Sequence, residues 1–219
     1  MLTKPHFNDR YDAGRQLSKE LIVRADVKRG DRPVVLGLPR GGVPVAAVVA
    51  QALNGELDVL VVRKLGVPLR PELAMGAVGE DGVTVLNTHI IEQAEVSEAA
   101  LGEVIRLQRD EVTQRVGRFR PQHRKPVSLH DRTTIIVDDG VATGATVEVS
   151  GKLARARGAG WVILAIPVAP YEVFQRLVAS GVFDEVVCLF APTRFRSVGA
   201  HYRDFAQVAD SEVQQILGT

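Results

Sequence analysis

Short apolar runs alternate along the chain with longer segments in which apolar residues recur at helical spacing. The runs begin at Val34, Leu57, Thr134, Trp161 and Glu185. Each run is apolar on both faces, as expected for a strand buried inside a parallel sheet. The helical segments cover about residues 9–24, 45–53, 97–119, 147–157 and 172–179. This alternation predicts an α/β fold with a doubly wound, mainly parallel sheet and helices on both faces.

Two stretches depart from this alternation. The segment from Leu65 to Asp81 holds several prolines and glycines without clean periodicity, so we predict a long loop there, followed by a returning strand over residues 82–87. Beyond the last apolar run, residues 191–219 form a C-terminal extension rich in aromatic and glycine residues. No repeat or linker interrupts the chain, which predicts one domain over 1–219 with a core of about 30–190.

The composition narrows the functional classes only slightly. The chain has 219 residues, 46% hydrophobic and 24% charged, and its net charge of +1 gives no argument for nucleic acid or an anionic membrane as partner. The single cysteine, Cys188, lies inside an apolar run and is expected to be a buried structural thiol. The N-terminal residues show no signal-peptide pattern and no run is long enough to span a membrane, so we expect a cytoplasmic protein.

The most informative stretch runs from Thr134 to Thr146. A buried strand ends in two acids, Asp138 and Asp139, and a loop of small and hydroxyl residues leads into a helix. Free N–H groups in such a loop and at a helix N-terminus bind phosphate, and threonine hydroxyls add donors. Carboxylates at the strand end can accept hydrogen bonds from sugar hydroxyls and share a divalent cation. The pattern therefore predicts a site for a phosphorylated sugar.

This stretch closely resembles the phosphoribosyl-pyrophosphate (PRPP) motif of the type I phosphoribosyltransferases. The resemblance implies that fold, with a mobile loop after the third strand-like run and a small hood, and implies PRPP and Mg²⁺ as ligands. It assigns Asp138 and Asp139 to catalysis, to the ribose hydroxyls and to the metal. The 5-phosphate would then be bound by Ala142, Thr143, Gly144, Ala145 and Thr146. Neither G-x-x-x-x-G-K-[ST] nor G-x-G-x-x-G occurs, which excludes two other phosphate-binding motifs.

The same resemblance identifies a pyrophosphate loop and a basic loop start. Arg40, Gly41 and Gly42 follow the first core strand, where amides and a fixed positive charge would bind pyrophosphate. Arg63 and Lys64 end the third strand-like run, and the family places a pyrophosphate-contacting, catalytic basic residue there; we assign that catalytic role to Lys64.

The acceptor is less well indicated. In the family, a hood residue often stacks on the acceptor base, so the resemblance makes Phe195 and Tyr202 candidates, although packing in the core explains them as well. Hypoxanthine-type enzymes carry an acid where this chain has Ala142, and a cation where it has Val168-Ala169-Pro170. A 6-oxopurine acceptor is therefore disfavoured, and no general base is assigned.

Three functions remain open at this stage. The first is transfer of the phosphoribosyl group from PRPP to a nitrogenous acceptor, with a nucleobase as the expected class, and release of pyrophosphate. The second is a PRPP- or nucleotide-sensing regulator that binds RNA, DNA or protein, supported only by a basic cluster. That cluster comprises Arg115, Arg118, Arg120, Arg124 and Lys125. The third is a hydrolase of phosphoribosyl compounds. The apolar stripe of the helix over residues 97–119 could also serve a homodimer.

Overall fold

The computed structural model describes residues 6–24, 32–120 and 125–218. Within these residues, eight strands form two sheets: β1 Val34–Gly37, β2 Glu56–Val59, β3 Val62–Val67, β4 Arg70–Gly79, β5 Thr84–Leu86, β6 Thr133–Val137, β7 Trp161–Val168 and β8 Glu185–Phe190. The α-helices of the described residues are α1 Arg10–Arg24, α2 Gly42–Ala52, α3 Thr88–Gln93, α4 Glu98–Phe119, α5 Ala145–Ala156, α6 Tyr171–Ala179 and α7 Asp210–Leu217.

The larger sheet has five parallel strands in the order β2-β1-β6-β7-β8. Helices α1 and α2 cover one face, where Leu17 and Val49 are fully buried. Helices α5 and α6 cover the other face through Val147 and Leu177. Strands β1 and β6 are buried at every position, because each is covered on both sides. The predicted doubly wound, mainly parallel α/β architecture is confirmed.

The chain order of the strands reverses between β1 and β6. From β1 the chain continues through α2 to β2 on one side, whereas from β6 it continues through α5 to β7 on the other. Open parallel sheets bind ligands outside the carboxyl ends of the strands at such a switch point. The two loops that follow β1 and β6 carry the predicted phosphate-binding residues, so the topology brings both predicted motifs to one place.

The prediction of a loop from Leu65 to Asp81 is wrong. Strands β3 and β4 form an antiparallel hairpin there, and β5 adds a third strand. The inward residues, including Leu65 and Met75, pack on one face of α4. In the sequence, glycines and prolines interrupt the alternation of inward and outward residues that a strand would show. The register between β3 and β4 also shifts at Gly66. The apolar run from Leu57 is likewise two strands, because β2 ends at Val59 and β3 begins at Val62.

Helix α4 begins and ends as predicted, with the Ser97 side chain accepting a hydrogen bond from the Ala100 N–H. Its apolar stripe, which suggested a dimer, packs inside the chain against β3, β4 and α7. That argument for a dimer is therefore withdrawn, and the dimer itself stays a prediction. Within the part of the chain that the structure describes, no helix has the length and apolar character that crossing a membrane requires.

Candidate functional site

The loops after β1 and β6 touch each other through two glycines. A Cβ atom added to Gly41 would lie 1.9 Å from Oδ2 of Asp139, and one added to Gly42 would lie 2.5 Å from the Val137 carbonyl oxygen. Only glycine permits this approach. The Gly42 N–H donates to the Leu38 carbonyl at 2.9 Å, so this amide closes the turn rather than facing an anion as predicted. The glycines hold the two loops together at the switch point.

The two acids at the end of β6 lie in a poorly hydrated place. Burial, followed by the neighbouring charge of Asp139, raises the pKa of Asp138 well above its ordinary value. Burial also raises the pKa of Asp139, although its hydrogen bond with Arg10 opposes the rise. Arg10 Nε donates to Asp139 Oδ2 at 2.8 Å. Among the described residues, the two carboxylates of the acid pair therefore share one cationic partner.

Arg10 comes from α1 at the other end of the sequence, and its place at the acid pair was not foreseen. Its Nη1 donates to the Ala206 carbonyl at 2.7 Å, and its guanidinium lies 4.0 Å from the centre of the Phe205 ring. The C-terminal extension adds a further contact, because the Tyr202 hydroxyl donates to the Asp139 carbonyl oxygen at 2.5 Å. The C-terminal extension thus holds both Arg10 and the backbone of Asp139 in place.

The loop over residues 142–146 is open to solvent apart from Gly144. Gly144 has φ +83°, a left-handed conformation that favours glycine, and directly precedes α5. The backbone N–H groups of residues 142–146 donate to no acceptor among the described residues. Arg176 of α6 donates to the Thr143 carbonyl oxygen and so fixes the loop from the opposite side. Consecutive free amides at a helix start can bind an anion, and binding of the 5-phosphate by this loop stays a prediction.

A cavity of about 290 Å³ lies beside this loop and joins several predicted residues. Thr146 lines it from the start of α5, Pro39 from the loop after β1, and Arg63 and Lys64 from β3. Helix α4 contributes Arg115 to the same cavity. The predicted basic residues of the hairpin therefore line the same cavity as Thr146, the last residue of the predicted phosphate loop over residues 142–146.

Both hairpin cations have partners inside the chain. Arg63 forms an ion pair with Glu111 at 3.0 Å, and the Lys64 amino group donates to the Glu72 carbonyl at 3.0 Å. Both interactions are solvent-exposed, and exposed contacts of this kind contribute little free energy. A ligand with several negative charges can therefore compete for both side chains.

The structure places the two predicted acceptor-binding residues differently. Tyr202 is buried, with its ring 5.1 Å from that of Phe7 and 4.9 Å from that of Phe205, and burial raises the pKa of its hydroxyl. This ring is not presented to a ligand, so its predicted stacking on an acceptor is withdrawn. Phe195 is half-buried and stacks on His201 with ring centres 5.6 Å apart, and its role at the acceptor stays a prediction.

The acid pair also fits the predicted magnesium site in part. Among the described residues, no group of three or more metal-ligating side chains is found. Mg²⁺ is commonly bound through one or two carboxylates together with substrate phosphates and waters. Asp138 and Asp139 supply those carboxylates beside an open phosphate loop, so the residues present fit a metal that arrives with its substrate.

The basic cluster that favoured a polyanion partner is divided by the fold. Arg120 is buried and donates to both Asp58 and Glu80, so it is not available to bind an external partner. Arg124 lies outside the described residues, and Lys125 is exposed. Arg115 and Arg118 remain accessible, but they face the predicted pyrophosphate loop. The sequence argument for a nucleic-acid-binding surface is therefore weaker.

Comparison with known proteins agrees with this geometry. Residues 8–173 match the family model described as "Phosphoribosyl transferase domain". A protein of Mycobacterium tuberculosis named "Putative phosphoribosyl transferase Rv0571c" is 50% identical over 96% of this chain, and the chain spans 46% of that protein's length. The crystal structure of TT1426 from Thermus thermophilus is 42% identical with a TM-score of 0.88, covering 97% of both chains. The AQ2163 protein of Aquifex aeolicus shares the fold, with 13% identity, a TM-score of 0.51, and coverage of 87% of this chain and 78% of that one.

Proposed function

Because the chain belongs to the phosphoribosyl transferase domain family, we propose that it transfers the 5-phosphoribosyl group of PRPP to a nitrogenous acceptor and releases pyrophosphate. The reaction would depend on Mg²⁺, with a nucleobase as the expected acceptor class. The observation that carries this proposal is the row of free N–H groups over residues 142–146 beside the under-compensated pair Asp138 and Asp139. The N–H groups suit the 5-phosphate of the ligand, and the carboxylates suit its ribose hydroxyls.

The chain's own residues would act mainly by positioning. Amides of residues 142–146 and the hydroxyls of Thr143 and Thr146 hold the 5-phosphate, so that binding energy remote from the reacting carbon orients it. Asp138 and Asp139 accept hydrogen bonds from the ribose hydroxyls. As the bond to pyrophosphate breaks, positive charge develops on the ribose ring, and nearby carboxylates stabilise such an oxocarbenium-like state.

The leaving group is the second requirement. Arg40, Arg63 and Lys64 would neutralise the departing pyrophosphate, with the Gly41 amide as a further donor. A bound Mg²⁺ would supply additional charge neutralisation at the diphosphate oxygens. Lys64 faces the same cavity as Thr146, so its predicted catalytic role fits a diphosphate lying between β3 and the phosphate loop.

The acceptor would approach from the side of the C-terminal extension. Val198 lies over Gly140 there, and a Cβ atom at Gly140 would lie 2.4 Å from Val198 Cγ1. The neighbouring strand end carries Val168 and Ala169 without a cation, so a 6-oxo group would find no charged partner on that strand end. We therefore propose an acceptor nitrogen on a ring that lacks this group.

The test is a screen of purine, pyrimidine and other amine acceptors with PRPP and Mg²⁺, following pyrophosphate release. We expect turnover with at least one acceptor, and its loss in the double variant Asp138→Asn, Asp139→Asn. A matched control, Glu103→Gln with Asp110→Asn, removes two exposed carboxylates from α4 and should leave turnover unchanged. PRPP binding without turnover for any acceptor would favour the sensing role instead, and pyrophosphate release without an acceptor would favour a hydrolase.

A further inference from the structure

The residues assigned to pyrophosphate are divided between two cavities that share one wall. Lys64 and Arg63 line the first cavity, beside the phosphate loop. Arg40 lines a second cavity of about 190 Å³, together with Arg118 from α4. Pro39 and Arg115 line both cavities. Arg115 is therefore the cationic side chain that connects the two halves of the predicted pyrophosphate site.

Arg115 is accessible to solvent and to a ligand. It is exposed on α4, and within residues 6–24, 32–120 and 125–218 it forms no ion pair or hydrogen bond. Arg106, earlier on the same helix, differs because it pairs with Glu103 at 2.7 Å. An unpaired guanidinium between two cavities retains all of its donors for a planar or tetrahedral oxyanion.

The second cavity already contains a carboxylate. Asp210, the first residue of α7, lies 3.5 Å from Arg40 and 4.0 Å from Arg118. Both contacts are long and exposed, so each contributes little free energy. Asp210 would also keep a favourable interaction with the N-terminus of α7 after losing the arginines. Its displacement by a more highly charged anion would therefore cost little.

We propose that Arg115 and Arg118 extend the pyrophosphate site, and that Asp210 is an internal counter-ion which a diphosphate group displaces from Arg40. This inference rests on the proposed function and adds residues from α4 and α7 to it. The ligand chemistry is a diphosphate, carried by PRPP before the reaction or free as pyrophosphate after it. In the unliganded protein, Asp210 limits repulsion among the three arginines.

The test is calorimetric titration of inorganic pyrophosphate, and separately of PRPP with Mg²⁺, into the full chain at one fixed ionic strength. Arg115→Gln should weaken pyrophosphate binding by about tenfold, the effect of losing one charge-assisted hydrogen bond. Arg106→Gln removes the same charge from the same helix and should change binding by less than about twofold. Arg115→Lys, which keeps the charge without the planar fork, should fall between wild type and Arg115→Gln.

The Asp210 variant tests the counter-ion directly. Asp210→Asn should strengthen pyrophosphate binding by roughly two- to fivefold, because the competing carboxylate is gone. Unchanged affinity in Arg115→Gln, an equal loss in Arg106→Gln, or weaker binding in Asp210→Asn would overturn the inference. If the Asp138→Asn, Asp139→Asn variant loses PRPP binding while Arg115→Gln binds pyrophosphate normally, the proposed function stands and this inference fails. If that variant binds PRPP fully while Arg115→Gln binds pyrophosphate about tenfold more weakly, the diphosphate site stands and the role of the acid pair in the proposed function fails.

Discussion

Two pairs of acidic side chains in this protein each have one arginine beside them, and the pairs differ in how fully that arginine compensates them. Arg120 donates to Asp58 and to Glu80, and all three side chains are at most 4% exposed. The Val127 N–H also donates to Asp58 at 2.9 Å. In the other pair, Arg10 donates to the carboxylate of Asp139 and to the Ala206 carbonyl, and Asp138 accepts a hydrogen bond from the Asp139 N–H at 2.9 Å.

The difference separates a structural site from a site that awaits a ligand. The Arg120 cluster links β2, the turn after β4 and the end of α4, and both of its carboxylates accept a hydrogen bond from Arg120, although burial still raises the pKa of Glu80. In the pair Asp138–Asp139, Arg10 donates to one carboxylate instead of both, and the pair lies next to a row of N–H groups that have no acceptor among the described residues. A buried charge without a partner costs stability, and such costs concentrate where function requires them.

The largest expected effect concerns the arginines themselves. Arg120→Ala would leave two buried carboxylates without a cation and should lower the free energy of unfolding by about 3–5 kcal/mol. Arg10→Ala leaves one partly buried carboxylate without its arginine and should cost roughly 1–3 kcal/mol. Denaturant unfolding at constant m-value measures both changes. Equal losses in the two variants would mean that the two pairs do not differ as described.

The second prediction concerns ligand binding, for which the pair Asp138–Asp139 should matter more than the Arg120 cluster. Asp138→Asn with Asp139→Asn should weaken binding of PRPP with Mg²⁺ by on the order of 100-fold, as loss of groups at a metal site can. The folded state should persist, because Arg10, which loses the charge of Asp139, keeps its hydrogen bond to the Ala206 carbonyl. Calorimetric titration gives the affinity and circular dichroism checks the fold. Wild-type affinity in this variant would remove the acid pair from the site.

The third prediction uses the raised pKa of Asp138. A carboxyl whose pKa is higher in the folded state binds more protons there, so its contribution to stability is present below the unfolded pKa and is lost as pH rises through the folded pKa. Asp138→Asn should therefore be more stable than wild type at pH 7, by about 1 kcal/mol. The difference should shrink as the pH is lowered toward 4. A thermal-unfolding series across pH measures it, and a gap that widens in acid would contradict the assigned cause.

The smallest expected effect concerns Tyr202, which holds the backbone of Asp139. Tyr202→Phe removes the hydrogen bond to the Asp139 carbonyl and should cost about 1 kcal/mol of stability. PRPP affinity should change by less than about twofold, because the Tyr202 ring faces the packed extension. Unfolding and titration of the same preparation measure both quantities. A large loss of affinity with unchanged stability would assign Tyr202 to the ligand.

The sequence predicted the strand, loop and helix that carry the candidate site, because these elements are consecutive in the chain. Asp138 to Thr146 fall in one strand-loop-helix unit, and the short-range pattern determines their geometry. Arg10 reaches Asp139 across 129 residues, and Arg120 reaches Asp58 across 62, so no local pattern indicates either partner. The hairpin over β3 and β4 was missed because glycine and proline interrupt its alternation. The expected cytoplasmic location and the acceptor class stay predictions.

The most direct test follows the backbone amides during a titration of isotope-labelled protein with PRPP and Mg²⁺ by nuclear magnetic resonance. We predict large, saturable shifts for the N–H signals of residues 142–146, reduced in the Asp138→Asn, Asp139→Asn variant. Signals around Asp58, Glu80 and Arg120 should change little. Unchanged signals over residues 142–146, with saturable shifts elsewhere or none at all, would contradict the assignment of this loop as the phosphate site.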